Sequence, residues 1–123
     1  MPKIFVMNNK EFAKKLEYRT RQFAISVIKL SVSLPNTIEA RVIKNQITKS
    51  ATSIGANYRE ANRSRSKKDF KNKISISESE ASETEYLLEI IKDLNWVHSS
   101  LLEPIIKETK ELLALFTSIS NKL

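Results

Sequence analysis

Apolar residues recur along this chain in a four–three rhythm that divides it into four long segments. Leu16, Thr20, Phe23, Val27, Leu30 and Leu34 make the first seam. Ala40, Ile43, Ile47, Ala51, Ile54, Tyr58 and Ala61 make the second, and Phe70, Ile74, Ser77, Ala81, Thr84, Leu88 and Ile91 the third. Leu102, Ile105, Thr109, Leu112, Phe116, Ile119 and Leu123 complete the set. That spacing places each group on one face of an α-helix. Pro35 ends the first segment because the residue before a proline is pushed out of helical geometry. Helix starts are expected at Asn8 or Asn9, Asn36 or Thr37, Ser66, and Ser99 or Ser100, whose short side chains can accept from free first-turn N–H groups. Breaks are expected near Pro35, Ser64–Ser66 and Asn95–Ser100. Residues 1–8 read as an extended N-terminal arm and 9–123 as one domain. The expected fold is all-α, an antiparallel, up-down four-helix bundle.

The second segment is unusual for its small side chains. Ala51, Ser53, Ala56 and the only glycine, Gly55, follow one another closely, and a mid-helix glycine costs about 1 kcal/mol relative to alanine. Such a cost is tolerated where backbones approach closely. The small, polar seam of the third segment makes it the natural partner for this face. Several apolar residues lie beside or away from the seams: Ile25, Ile28, Leu87, Ile90, Leu101, Ile106, Leu113 and Leu115. A lone bundle would leave part of that surface in water, which points to a homo-oligomer.

Composition supports this picture. Of 123 residues 41% are hydrophobic and 28% charged, and one glycine and three prolines are too few for a turn-rich sheet fold. No apolar run approaches the roughly 20 residues of a membrane span. The apolar run Ile4–Met7 is too short for a secretory signal, so the expected compartment is the cytoplasm. Without cysteine there is neither a disulfide framework nor a thiolate metal site.

The net charge of +7 comes from one region. Residues 41–73 carry ten basic and two acidic side chains, whereas the rest of the chain carries eleven and twelve. Such a cluster is the electrostatic footprint of a polyanion binder, and it is also what a solvated face looks like. Arg59, Arg63, Arg65, Lys67, Lys68 and Lys71 are the candidate phosphate contacts. Tyr58 and Phe70 fall on core seams rather than on a stacking platform. Catalytic chemistry finds few candidates: His98 is the only histidine, and no Gly-rich phosphate loop or nucleophile elbow occurs. Glu78, Glu80, Glu83, Glu85 and Glu89 lack the Glu-x-x-His pairs of bundle metal sites, so they read as a solvated acidic face. No metal, no cofactor and no enzymatic activity are expected.

Three ordered motifs, SATSIGANYREA (Ser50–Ala61), SKKDFKNKISI (Ser66–Ile76) and EASETEYLLE (Glu80–Glu89), closely resemble the intervening-sequence proteins encoded within inserts of bacterial large-subunit rRNA genes. The resemblance spans roughly residues 9–118. It implies a four-helix bundle, commonly assembled as a ring-like homopentamer, without established catalytic activity. A related branch, the accessory proteins of diversity-generating retroelements, implies RNA or DNA and a reverse transcriptase as partners. The family pattern falls on Ser50, Ser53, Ile54, Asn57, Glu60, Ser66, Asp69, Phe70, Lys73, Glu80, Ala81, Glu83, Thr84 and Tyr86. Leu87 stands where many members carry tryptophan. Asn57, Glu60, Glu80, Glu83 and Thr84 are expected to form a polar network between the second and third helices, because buried polar groups persist when paired.

Overall fold

The computed structural model describes the backbone from Lys3 onward and side chains from Lys10 onward. Four helices follow in order: α1 (Lys3–Val32), α2 (Ile38–Ala61), α3 (Lys67–Asp93) and α4 (Ser99–Asn121). No strand occurs among the described residues. The 24 residues of α2 alone reach about 36 Å at 1.5 Å per residue. No described helix is long and apolar enough to cross a membrane.

Cross-helix contacts establish the directions. Thr20 meets Gly55 and Glu17 meets Asn62, so α1 and α2 run oppositely. Thr84 bonds Ser50 and Ser77 bonds Ile54, which makes α2 and α3 antiparallel. Glu78 with Thr117 and Lys92 with Glu103 do the same for α3 and α4. Each helix packs against its sequence neighbours, and α4 returns against α1 in the sparsest of the four contacts. That sparse side carries a clasp. Arg19 on α1 donates from Nε to Glu108 Oε2 at 2.6 Å and from a terminal nitrogen to Glu108 Oε1 and Glu111 Oε1, both at 2.7 Å. The fork geometry of guanidinium on carboxylate is the arrangement in which a half-exposed ion pair contributes most.

The four seams form one core. Leu16, Phe23, Val27, Ile47, Ile54, Ile74, Leu88, Leu112 and Phe116 are all buried, and Tyr58 meets Phe116 edge-on with ring centres 5.4 Å apart. Leu87 and Ile106, expected to lie outside the seams, are buried too; Ile90, Leu113 and Leu115 are half-buried. α3 and α4 thus bury a stripe wider than one heptad seam. Ile25, Ile28 and Leu101 remain exposed as expected.

Thr37 caps α2 by accepting from the Ala40 N–H at 3.1 Å, and Ser66 caps α3 by accepting from Asp69 N–H at 3.0 Å. Two starts differ from expectation. α1 runs back through Asn8 and Asn9 to Lys3, so residues 3–8 are not an extended arm; without a proline or glycine there, extending an existing helix costs less than ending it. The expected packing of the arm's side chains, and Met1 and Pro2 altogether, lie outside the described residues. α4 is capped by His98, not by Ser99 or Ser100: its Nδ1 accepts from the Ser100 N–H at 3.1 Å, and both serines are already helical. α3 ends where Asn95 takes a left-handed conformation at φ 55°. The Asn95 N–H bonds Lys92 O, the Trp96 N–H bonds Ile91 O, and half-buried Trp96 folds back on the core in a Schellman close.

Gly55 does permit a close approach, but the helix it admits is α1. A Cβ placed on Gly55 would lie 2.8 Å from Thr20 Oγ1 and 3.0 Å from Thr20 Cβ, and Thr20 is fully buried. The small face of α3 instead meets the Ser50 and Ile54 side of α2. Gly55→Leu should therefore cost on the order of 1–3 kcal/mol by overpacking. Gly55→Ala should destabilise less, since alanine's better helix propensity offsets part of the clash. Adding Thr20→Ala, which removes the Oγ1 in the way, should recover part of the Gly55→Ala loss. Chemical denaturation of the single and double variants checks the pairing.

Candidate nucleic-acid interface

The connection from α2 to α3 is short and firmly hydrogen-bonded. The N–H groups of Asn62, Arg63 and Ser64 bond to Tyr58, Glu60 and Ala61 carbonyls at 3.0–3.1 Å, and the Ser64 hydroxyl donates to Ala61 O at 2.6 Å. On this turn and the helix ends beside it sit Arg59, Arg63, Arg65, Lys67, Lys68 and Lys71, all exposed. None has a carboxylate within ion-pairing distance among the described residues. Lys67 and Lys68 occupy the first turn of α3, where the helix dipole disfavours positive charge and only Asp69 compensates.

Two of these arginines face α1. Arg59 and Arg63 line a cleft of about 370 Å³ between α1 and α2, together with Lys14, Glu17, Tyr18 and Arg21. Between these long side chains the cleft is lined by Thr20, Ala24, Thr52, Gly55 and Ala56. Its existence follows from those small residues, which leave the outer seam between the two helices unfilled. Arg21 lies over the Tyr18 ring, its Cζ 5.6 Å from the ring centre. The Glu17 carboxylate accepts from Asn62 Nδ2 at 2.9 Å. Lys14, Tyr18 and Arg21 escape a sequence reading because they lie outside the strongly basic region of residues 41–73, with acidic Glu11 and Glu17 beside them. The signal was present in spacing, since positions 14, 18 and 21 continue to Ile25, Ile28 and Val32 as a second, outward four–three stripe on α1.

The expected polar network takes another form. Asn57 Nδ2 donates to Ser53 O of its own helix at 2.9 Å, and Glu60 pairs across the surface with Lys73 at 2.9 Å. Glu83 is exposed. Glu80 is half-buried, and partial burial, with Glu83 nearby, holds its carboxyl above the usual range while Lys49 opposes the shift. Of the five, Thr84 alone joins the two helices through a buried hydrogen bond, 2.8 Å to Ser50 Oγ. Ser77, not expected in this role, donates to Ile54 O at 2.9 Å. Every buried side-chain polar atom among the described residues is satisfied. Burial also pushes the Tyr58 hydroxyl upward, and the neighbouring Asn62 side chain opposes the shift. Among the described residues no three His, Cys, Asp or Glu side chains converge as a metal centre would require.

Fold and surface together define an all-α bundle with a tightly bonded interior and a cluster of unpaired cations at one corner. Residues 14–118 match the 23S rRNA-intervening sequence protein family, and the chain belongs to it. A solved structure from Bacteroides thetaiotaomicron, described as a protein with unknown function from the S23 ribosomal protein family, is 36% identical. It superposes with a TM-score of 0.78 over 85% of this chain and 96% of that one. No curated protein matches. Within the family pattern, Ser50, Ile54, Ala81 and Thr84 are interior, Ser66 is a cap, Glu60 and Lys73 are paired, and Leu87 is buried where the expected tryptophan is missing. Tyr86, 63% exposed, has no packing role of this kind.

Proposed function

We propose that this protein is a non-enzymatic, oligomeric nucleic-acid-binding protein whose corner between α2 and α3 takes phosphates by charge. The observation that carries the reading is the set of six exposed basic residues without carboxylate partners, two of them placed against the α3 dipole. Paired charges serve stability and unpaired like charges oppose it, so a cluster held in this way favours an anionic partner. Each neutralised phosphate releases counterion, and affinity should fall by about 0.9 log units per log unit of salt for each duplex contact. Replacing Arg63, Arg65, Lys67 and Lys68 with Glu should weaken RNA and DNA binding alike and flatten that slope, while circular dichroism stays unchanged. Titrations at several salt concentrations decide it. If the wild-type protein binds neither RNA nor DNA at low salt, a scaffold role, with a protein partner on the charged faces, takes its place.

Self-association has its own support. Ile25, Ile28 and Val32 stand exposed on one stripe of α1, and Ile38 and Val42, exposed by 70% and 49%, lie just across the Pro35 turn. The apolar group sits at the end of the bundle away from the basic corner, so a second copy bound there would leave the cations free. A pentamer is the assembly that the family resemblance implies. Light scattering at micromolar concentration should give a mass several times that of one chain. Ile28→Glu with Val32→Glu should return it to 14.1 kDa without loss of helicity. A monomeric wild-type protein would remove this part of the proposal.

A further inference from the structure

We infer that the cleft between α1 and α2 holds one unpaired nucleotide, its phosphate among Lys14, Arg21, Arg59 and Arg63 and its base on Tyr18, so that the protein selects single strands over duplex. The inference deepens the nucleic-acid reading and rests on it for the identity of the polymer.

Charge is the first argument. Four cations line the cleft against a single carboxylate, Glu17, which already accepts from the Asn62 amide. None of the four has a carboxylate within ion-pairing distance among the described residues. Their mutual repulsion is relieved by an anion placed between them. Shape is the second. At about 370 Å³ the cleft lies at the small end of ligand-site volumes, room for a group of nucleotide size. Its small lining residues let a ligand approach the helix backbones.

Tyr18 is the third and decisive feature. It lines the cleft, stays 58% exposed, and carries Arg21 over its ring. Besides its cation–π pair with Arg21, the exposed ring offers apolar area that a purely charge-binding patch does not need. A stacking platform for bases needs such a ring beside phosphate-binding cations. Duplex bases are stacked on one another and offer Tyr18 no free face. The threonine protons in the cleft are committed elsewhere: Thr20 donates to Leu16 O and Thr52 to Thr48 O within their own helices. Recognition here is therefore by stacking and charge, tolerant of base identity.

The test compares a fluorescein-labelled oligothymidylate, its duplex with oligoadenylate, and thymidine monophosphate as probes, using anisotropy for the polymers and equilibrium dialysis for the nucleotide. The full chain should bind the single strand more tightly than the duplex. Tyr18→Ala should weaken single-strand binding about tenfold and leave the salt slope and the duplex affinity unchanged, whereas Tyr18→Phe should retain binding. Equal affinity for single strand and duplex, or a Tyr18→Ala protein that binds single strands as the wild type does, overturns the inference and leaves charge-based binding at the corner standing. Tyr18-dependent binding of thymidine monophosphate without binding of either polymer supports the cleft as a nucleotide site and overturns the nucleic-acid reading. No binding of any of the three probes overturns both.

Discussion

The hydrogen bonds that cross from α2 to α3 hold the rest of the structure in place. Ser50 and Thr84 share one at 2.8 Å, and Ser77 donates to the Ile54 carbonyl at 2.9 Å, all of them buried. Each hydroxyl has one proton. Where one member of the Ser50–Thr84 pair donates across the interface, the other donates down its own helix, to Glu80 O or Ile47 O. A slip of α3 along α2 would leave the Ser50 and Thr84 hydroxyls only the carbonyls of their own helices and lose each cross-helix bond, at about 0.5–1.5 kcal/mol apiece. Apolar side chains tolerate such a slip far better, because dispersion contacts are non-directional. The polar pairs therefore specify register in a core otherwise made of Ile, Leu and Ala.

Register at this hairpin determines where the charges go. α2 and α3 leave the same short turn, so their alignment places Arg59 and Arg63 on one side of it and Lys67, Lys68 and Lys71 on the other. Gly55 then sets how near α1 comes, through Thr20, and the neighbouring small residues leave the outer seam open as a cleft. Interior polarity fixes the scaffold, while the basic side chains of the corner stay exposed and have no carboxylate partner among the described residues.

Much of the fold was legible in the chain because seams, proline and hydroxyl caps act locally. Pro35, Thr37 and Ser66 bound their helices as their chemistry requires. What escaped was decided between helices. Gly55 announced a close contact, but whether α1 or α3 filled it depended on which face of α2 each helix covered. The motif residues Asn57, Glu60, Glu80 and Glu83 looked like one network because they are polar and ordered in sequence; in space they point to their own helix, to Lys73 or to water. Two serines follow His98 and are the commoner capping residues, yet the His98 Nδ1 offers the same acceptor geometry. The corner's six basic residues were visible as a run, whereas Lys14, Tyr18 and Arg21 join Arg59 and Arg63 only after α1 folds back along α2.

Buried hydroxyls serve the scaffold, and under the proposed function the exposed cations serve the nucleic acid. A double-mutant cycle of Ser50→Ala and Thr84→Val, with unfolding free energy and nucleic-acid affinity measured on the same four proteins, tests both halves. A coupling of about 1 kcal/mol in stability is expected, with affinity unchanged in each folded variant. Additive stability effects together with a loss of affinity would contradict it and move the binding function into the interior of the bundle.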